Sequence, residues 1–365
     1  MSRLQYKMEQ TLTTPQKANG FLNVFLSVAS KIYGAGLWVA SRLRKPEKKL
    51  ACKVVSIGNI AVGGTGKTPM TLYVTEMLKK AGYKAVILSR GYKGSAGKKG
   101  AIVSDGKEVF LTATQAGDEP YMLARALPDT PVIVSHDRYR GGQMAMAAFR
   151  PDIIVLDDGF QHRALYRDVD IVLLEATDPF GNGALLPKGK LREPVCALQR
   201  ADIIVYTRAK EFSARKKIGF STPAFACKQA PSLMTVNAHG AKTDPPAPIS
   251  LDQLKGKRCM AFSGIAHNDQ FVETVRENGG HIVGTSFYPD HHRYTKSELD
   301  DIVRQAHENN ADTLIATQKD FARLDYINPF KMPLWVVGIS VGFGPDEDGF
   351  KELLFQKLDS KKFKK

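Results

Sequence analysis

The chain has 365 residues, 43% of them hydrophobic, and a formal charge of +15. That length holds two domains, or one large domain with a satellite, and the apolar content is that of a globular protein with a buried core. The four cysteines (Cys52, Cys196, Cys227, Cys259) are far apart with no CxxC pair, which excludes a zinc site or disulfide framework and suits a reducing compartment. The charge asks for an anionic partner, and composition leaves nucleic acid, anionic lipid and phosphorylated substrate all open.

Residues 1–50 carry nine Lys or Arg against two acids. Within them "GFLNVFLSVASKIYGAGLWVASRLRKPEKK" predicts a helix. Asn23, Ser27, Ser30/Lys31 and Gly34 recur at helical spacing on one face; Phe21, Phe25, Val28, Ile32 and Val39 take the opposite face. Tyr33 and Trp38 suit an interfacial zone, Arg42, Arg44, Lys45, Lys48 and Lys49 follow, and Pro46 ends the segment. This pattern predicts a helix lying in a membrane surface with its basic flank on anionic headgroups, a core or spanning helix being the alternative. No small-residue cleavage site follows, so a signal peptide is not expected. The C-terminal "KKFKK" reads as a solvated charge run.

From residue 50, Val- and Ile-rich runs alternate with helix-length segments: "CKVVSIG", "KAVILSRG", "TPVIVSHDR", "PDIIVLDDG", "VDIVLLEA" and "ADIIVYTR". They lack polar alternation, so both faces are expected to be buried in a mainly parallel sheet with helices on each side. Ligands in such sheets bind at the carboxyl ends of strands. Residues 209–256, with Pro and Ser and no helical period, read as a connecting ribbon. A second α/β stretch follows: "KRCMAFSGIA", "HIVGTSFYPD", "ADTLIATQKD", "PLWVVGIS". The expected division is 1–49 membrane-associating segment, 50–212 nucleotide-binding core, and 213–365 ribbon plus smaller α/β domain.

The strongest local signal is "AVGGTGKT", which nearly matches a phosphate loop, with Ala61 where a first glycine would stand. Gly63, Gly64 and Gly66, with Thr65 between them, let backbone N–H groups turn onto phosphate oxygens at a helix N-terminus. Lys67 would neutralise β/γ oxygens, and the Thr68 hydroxyl would ligate Mg²⁺. A buried strand ending in Asp157-Asp158 has the form of the acidic strand end that holds Mg²⁺ beside such loops. Together they predict a Mg-nucleoside triphosphate site of the P-loop NTPase type. They do not separate a kinase from a switch GTPase or a surface ATPase. Partitioning-type ATPases carry an extra Lys before the paired glycines, where Val62 stands here.

"SIGNIAVGGTGKTP", "SRGYKG", "GDEP", "VLDDGFQHR", "LLPKGKLREP" and "YPDHHRY" occur in this order along nearly the whole chain. In this the chain resembles the tetraacyldisaccharide 4′-kinases of lipid A biosynthesis, a family that does not keep the first glycine. The resemblance implies a P-loop core joined through a two-stranded ribbon to a smaller α/β domain. It implies ATP-dependent phosphorylation of the 4′-hydroxyl of a tetraacylated glucosamine disaccharide 1-phosphate, at the cytoplasmic face of the inner membrane among anionic lipids. The sequence shows no recognisable nucleic-acid-binding module, so no nucleic acid is expected, and no obligate protein partner is evident. Asp118 and His291 are the implied catalytic pair, with His292 as the alternative. Because His291 falls in the expected second domain, the pair is expected to form only on domain closure. Gln161 and His162 would sit at the mouth of the site; Arg192 and Glu193 would touch phosphate, metal or acceptor, or else pair structurally. Arg90 and Arg138 are candidates for the 1-phosphate. "TQKD" (Thr317–Asp320) faintly resembles a base-recognition element. The competing reading is a P-loop ATPase or switch at a membrane surface, acting on a protein partner.

Overall fold

Burial of both strand faces is visible at once in the first strands. The computed structural model describes residues 20–43, 47–212, 221–236, 247–265, 268–324 and 328–360, apart from the side chain of Phe21. Arg3, Lys7, Lys17, Arg44, Lys45, Pro46 and the "KKFKK" run lie outside the described residues. In chain order, helix α1 (Gly20–Arg42) precedes β1 (Lys53–Asn59), α2 (Lys67–Lys80) and β2 (Ala85–Ser89). Next come β3 (Ala101–Ser104), α3 (Ala113–Ala116), α4 (Asp118–Ala126), β4 (Val132–Val134), α5 (Arg138–Phe149) and β5 (Ile153–Asp157). Then follow β6 (Val169–Glu175), β7 (Ile203–Thr207), β8 (Ala224–Ala226), β9 (Lys228–Val236) and β10 (Ala247–Ile249). The last are β11 (Arg258–Ser263), α6 (Asn268–Glu277), β12 (His281–Phe287), α7 (Lys296–Glu308), β13 (Thr313–Thr317), α8 (Gln318–Arg323), β14 (Leu334–Gly342) and α9 (Glu347–Ser360).

The chain divides into two units: Met1–Arg90, Ser135–Gln229 and Val341–Lys365 form the first, Gly91–Val134 and Ala230–Ser340 the second. This differs from a single boundary near 212 in two ways. Residues 91–134 group with the second unit, and the C-terminal helix returns to the first. The return has a packing cause. Phe343, Phe350, Leu354 and Leu358 fill one core cluster with Val55, Ile57, Met70, Val74 and Leu78. Phe343 stacks on Phe350 with ring centroids 4.2 Å apart. Each such side chain contributes about 1.5–3 kcal/mol when buried, so α9 belongs where its apolar face is covered.

In the first unit the strands run parallel in the order β2-β5-β1-β6-β7-β8. Every residue of β2, β5 and β7 is buried. That accounts for continuous apolar runs in place of alternation. A second cluster, with Ile60, Phe160, Val172, Leu198, Ile204 and Tyr206, completes this core.

The second unit holds a six-stranded sheet in the order β10-β9-β14-β13-β11-β12. β13 and β12 flank β11 in parallel, and β10 pairs antiparallel with β9. It also holds the antiparallel pair β3–β4. The apolar stripe of α6 (Phe271, Val272, Val275) is buried. A capping box between Thr295 and Glu298 starts α7, satisfying two end groups reciprocally. β9 and β14 are the strands in which the chain passes between the units.

Candidate active site

In the first unit, β1 delivers the chain to the glycine loop and α2 takes it away. Gly66 caps α2 in a left-handed conformation (φ 80°), and a Cβ there would stand 1.9 Å from Gln229 Nε2. The left-handed φ is the condition that favours glycine, since the Gln229 amide end could move aside, and the helix begins at Lys67. Asn59 Nδ2 donates to Thr65 Oγ1 at 2.8 Å, and Thr65 N–H donates to the Gly63 carbonyl at 3.0 Å, fixing the loop from within. Thr68 is buried in the first turn of α2.

β5 lies beside β1 with Asp157 level with Ile57, so the acidic strand end stands next to the strand that feeds the loop. Asp157 is buried and accepts from Thr71 Oγ1 at 3.2 Å and Ser89 Oγ at 3.1 Å. Asp158 takes a left-handed conformation (φ 54°) and faces Lys67 Nζ at 3.7 Å and Arg192 Nη1 at 3.1 Å. Burial works to raise its pKa, but Lys67 and Arg192 outweigh burial and hold the carboxyl below its ordinary value.

The other predicted rim residues divide. Gln161 Nε2 donates to the Asn59 carbonyl at 2.7 Å and to Glu193 Oε1 at 3.1 Å. Glu193 is buried and held by Arg200 Nη2 at 2.9 Å, so it is a structural ion pair. Arg90 is exposed. Arg138 is buried, and its Nη1 donates to the Ser135 and His136 carbonyls. Burial pushes the Arg138 guanidinium down to about 10. Burial first, and Arg138 second, push His162 down to about 4, so this imidazole is neutral at physiological pH. Arg208 was missed by sequence reading. It pairs with Glu175 at 3.2 Å, and a Cβ on Gly64 would lie 3.6 Å from its guanidinium. Nothing in its local sequence marks it.

The second unit carries the other cluster. Gly117 (φ 96°) turns the chain so that α4 starts at Asp118, and a Cβ on it would strike the Tyr92 carbonyl at 2.6 Å. Asp118 Oδ2 lies 3.0 Å from His291 Nδ1. Both residues are in the second unit, so the pair needs no domain closure to form; the expectation that it would is corrected. The division expected from sequence places Asp118 with residues 50–212, because residues 91–134 have no local mark of their non-local partner. His292 is not the partner: its Nε2 lies 3.1 Å from Glu298, and its ring stacks on Tyr288.

Two arginines complete the cage around Asp118. Arg323 Nε donates to Oδ2 at 3.1 Å and Arg293 Nη2 to Oδ1 at 3.3 Å. Burial alone would raise the Asp118 pKa, but the hydrogen bond with His291 and the charges of Arg323 and Arg293 prevail and hold it at about 2. An ionised carboxylate only accepts, so His291 Nδ1 donates to Asp118, and its Nε2 lies 3.7 Å from Asp290 Oδ2. Arg323 is itself fixed: its fully buried side chain donates to the Gly264 carbonyl at 2.6 Å and to Asp320 Oδ1 at 2.9 Å. Asp320 also accepts from Tyr294 at 2.9 Å and Thr317 at 2.5 Å. The "TQKD" stretch is thus a helix cap and buried anchor, not a base-recognition element.

One unit therefore offers a glycine loop at a helix N-terminus with adjoining carboxylates, the other an oriented carboxylate–imidazole pair. The model of the tetraacyldisaccharide-1-P 4′-kinase family matches residues 22–359. A tetraacyldisaccharide 4′-kinase of Desulfatibacillum aliphaticivorans is 35% identical over 365 residues, covering 98% of this chain and 99% of that one. One from Geobacter metallireducens is 41% identical over 293 residues, covering 80% and 82%. An LpxK structure from Aquifex aeolicus, solved in complex with ATP, is 31% identical with a TM-score of 0.74, covering 92% of this chain and 99% of that one. Agreement of this extent, end to end and in three dimensions, makes the chain a member of the tetraacyldisaccharide-1-P 4′-kinase family.

Proposed function

We propose that the protein is a lipid kinase that transfers the γ-phosphoryl group of ATP to the 4′-hydroxyl of a tetraacyl-glucosamine disaccharide 1-phosphate, giving the bis-phosphorylated lipid A precursor. Family membership supports this, and the observation that carries the mechanism is the Asp118–His291 pair at 3.0 Å. A switch or motor needs no base for an acceptor alcohol; a kinase acting on a sugar hydroxyl does. Asp118, held ionised, orients the imidazole, and His291 Nε2 accepts the proton as the hydroxyl oxygen forms its bond to phosphorus. Gly63, Gly64, Thr65, Gly66 and Lys67 cradle and neutralise the phosphates. The Thr68 hydroxyl and the carboxylates of Asp157 and Asp158 are hard oxygen donors of the kind Mg²⁺ takes, and the adjoining Asp158 is held ionised. Bound there, Mg²⁺ supplies charge neutralisation on the phosphate oxygens. Arg90 and Arg138 stay candidates for the 1-phosphate, the exposed Arg90 being the more accessible.

We place the enzyme at the cytoplasmic face of the inner membrane, with α1 on its anionic lipids. α1 is long and apolar enough to cross a membrane. Part of its small polar stripe, however, is engaged by protein: Ser30 is buried and Ser27 and Gly34 meet the 185–188 stretch, while Val24, Phe25 and Ile32 are 62–67% exposed. A helix bonded to protein along one side and bare along the other suits the interface better than the bilayer interior. Arg42 stacks over Trp38 at 5.1 Å, at the end where headgroups would meet it. The deciding measurement is transfer of labelled γ-phosphate to the disaccharide lipid. ATP turnover without label in the lipid would overturn the kinase reading.

A further inference from the structure

The inward stripe of α1 meets the segment from Ala184 to Glu193, and that segment meets the phosphate loop. On the helix side, Ser30 Oγ donates to the Leu185 carbonyl at 2.8 Å, Lys188 Nζ to Ser27 Oγ at 2.8 Å, and Tyr33 OH to the Arg192 carbonyl at 3.1 Å. Gly34 permits the approach, since a Cβ there would stand 3.0 Å from Leu185 Cδ1. On the loop side, Arg192 N–H donates to the Ile60 carbonyl at 2.7 Å and Val62 N–H to the Lys190 carbonyl at 2.8 Å. Leu191, buried, bridges antiparallel to Ala61. Arg192 is thus bonded by its carbonyl to the helix, by its N–H to the approach of the loop, and by its side chain to Asp158, which faces Lys67.

We infer that α1 is a lipid-responsive brace of the phosphate loop, with Ser30 and Tyr33 as its positioning residues. The inference rests on the lipid-surface reading of α1 given above. In water the bare face of α1 gains nothing by staying where it is, and a few hydrogen bonds hold the stripe to the Leu185–Arg192 segment. Lipid on the bare face fixes the helix, the helix fixes Arg192, and the loop meets nucleotide with less of its ordering still to be done. Thermodynamic reciprocity then requires nucleotide to tighten lipid binding by the same factor.

The test uses the full chain, Mg²⁺ and a non-hydrolysable ATP analogue, with and without phosphatidylglycerol–phosphatidylethanolamine vesicles that contain no disaccharide acceptor. Vesicles should lower the nucleotide Kd about fivefold, and the analogue should lower the vesicle dissociation constant by the same factor. Tyr33→Phe, which removes one oxygen, should at least halve that shift. Tyr33→Phe with Ser30→Ala should abolish it while vesicle binding through the bare face persists. A wild-type Kd that vesicles leave unchanged or weaken overturns the inference alone, as does a double variant that keeps the full shift. Wild-type protein that ignores vesicles overturns the surface reading and this inference with it. Neither result bears on phosphotransfer, because no acceptor is present.

Discussion

Arg323 supports Asp118 from behind, and Arg323→Lys tests that support. The arginine side chain is fully buried and serves the Gly264 carbonyl, Asp320 and Asp118 at 2.6, 2.9 and 3.1 Å. Lysine keeps the charge but offers a point donor, which does not span three acceptors set around a planar fork. Losing two charge-assisted hydrogen bonds of about 1.5–3 kcal/mol each, partly recovered by relaxation, leaves a destabilisation of roughly 3 kcal/mol, measurable by urea unfolding. Release of Asp118 has a second readout. Its folded pKa, held at about 2, lies below the ordinary 3.8. Its contribution to stability is therefore complete above about pH 4 and is lost as pH falls towards 2; the depression corresponds to about 2 kcal/mol. In Arg323→Lys the Asp118 pKa rises, so any acid limb of kcat owed to Asp118 moves to higher pH. The less well oriented imidazole should lower kcat by about tenfold or more, the equivalent of about 1.4 kcal/mol, with little change in KM for ATP. A lysine variant with wild-type kcat and an unmoved acid limb would refute the assignment of Arg323 as a positioning residue.

Lys67→Ala should cost on the order of 10²-fold or more in kcat/KM by removing charge from the transferring group, and wild-type turnover would remove the phosphate-loop reading. Asp118→Ala and His291→Ala should each lower kcat far more than they raise KM for ATP, with the double variant little worse than the poorer single; fully additive losses would mean that the two do not act as one unit. Wild-type protein should bind anionic vesicles better than neutral ones, and salt should weaken that preference. Phe25→Glu with Ile32→Glu removes two exposed apolar side chains worth about 1.5–3 kcal/mol each in a lipid interface, so vesicle binding should fall at least tenfold; undiminished binding would rule out that face as the contact.

What could be read from the sequence follows the range of the interactions involved. The phosphate loop is legible because its chemistry sits within a few residues: Gly66 must be glycine for its own φ, and Lys67 and Thr68 follow it directly. The parallel strands are legible because burial on both faces writes itself as an unbroken apolar run. The cage around Asp118 is different in kind. Its partners lie 173, 175 and 205 residues away. Only the resemblance to a family named His291; nothing local to Arg293 or Arg323 distinguishes either from a surface arginine. The same holds for α9, whose apolar face could not be assigned to one sheet or the other until the fold paired Phe350 with Phe343.

Helix α1 shows where a correct local pattern still leaves the physics open. The two faces were legible, but the pattern says only that they differ, not what each one meets. Small residues such as Ser27, Ser30 and Gly34 read as interruptions of an apolar helix. In the structure they are what allows the helix to approach the Leu185–Arg192 segment and bond its carbonyls. Tyr33, read as an interfacial aromatic, points inward and donates to Arg192. In α1, Ser27, Ser30, Tyr33 and Gly34 thus face protein, while the apolar Val24, Phe25 and Ile32 stand exposed. An ordinary surface helix does the reverse. Two groups of residues far apart in the chain thus share one constraint, since any change that loosens the stripe of α1 acts on Arg192, and Arg192 acts on Asp158 beside Lys67.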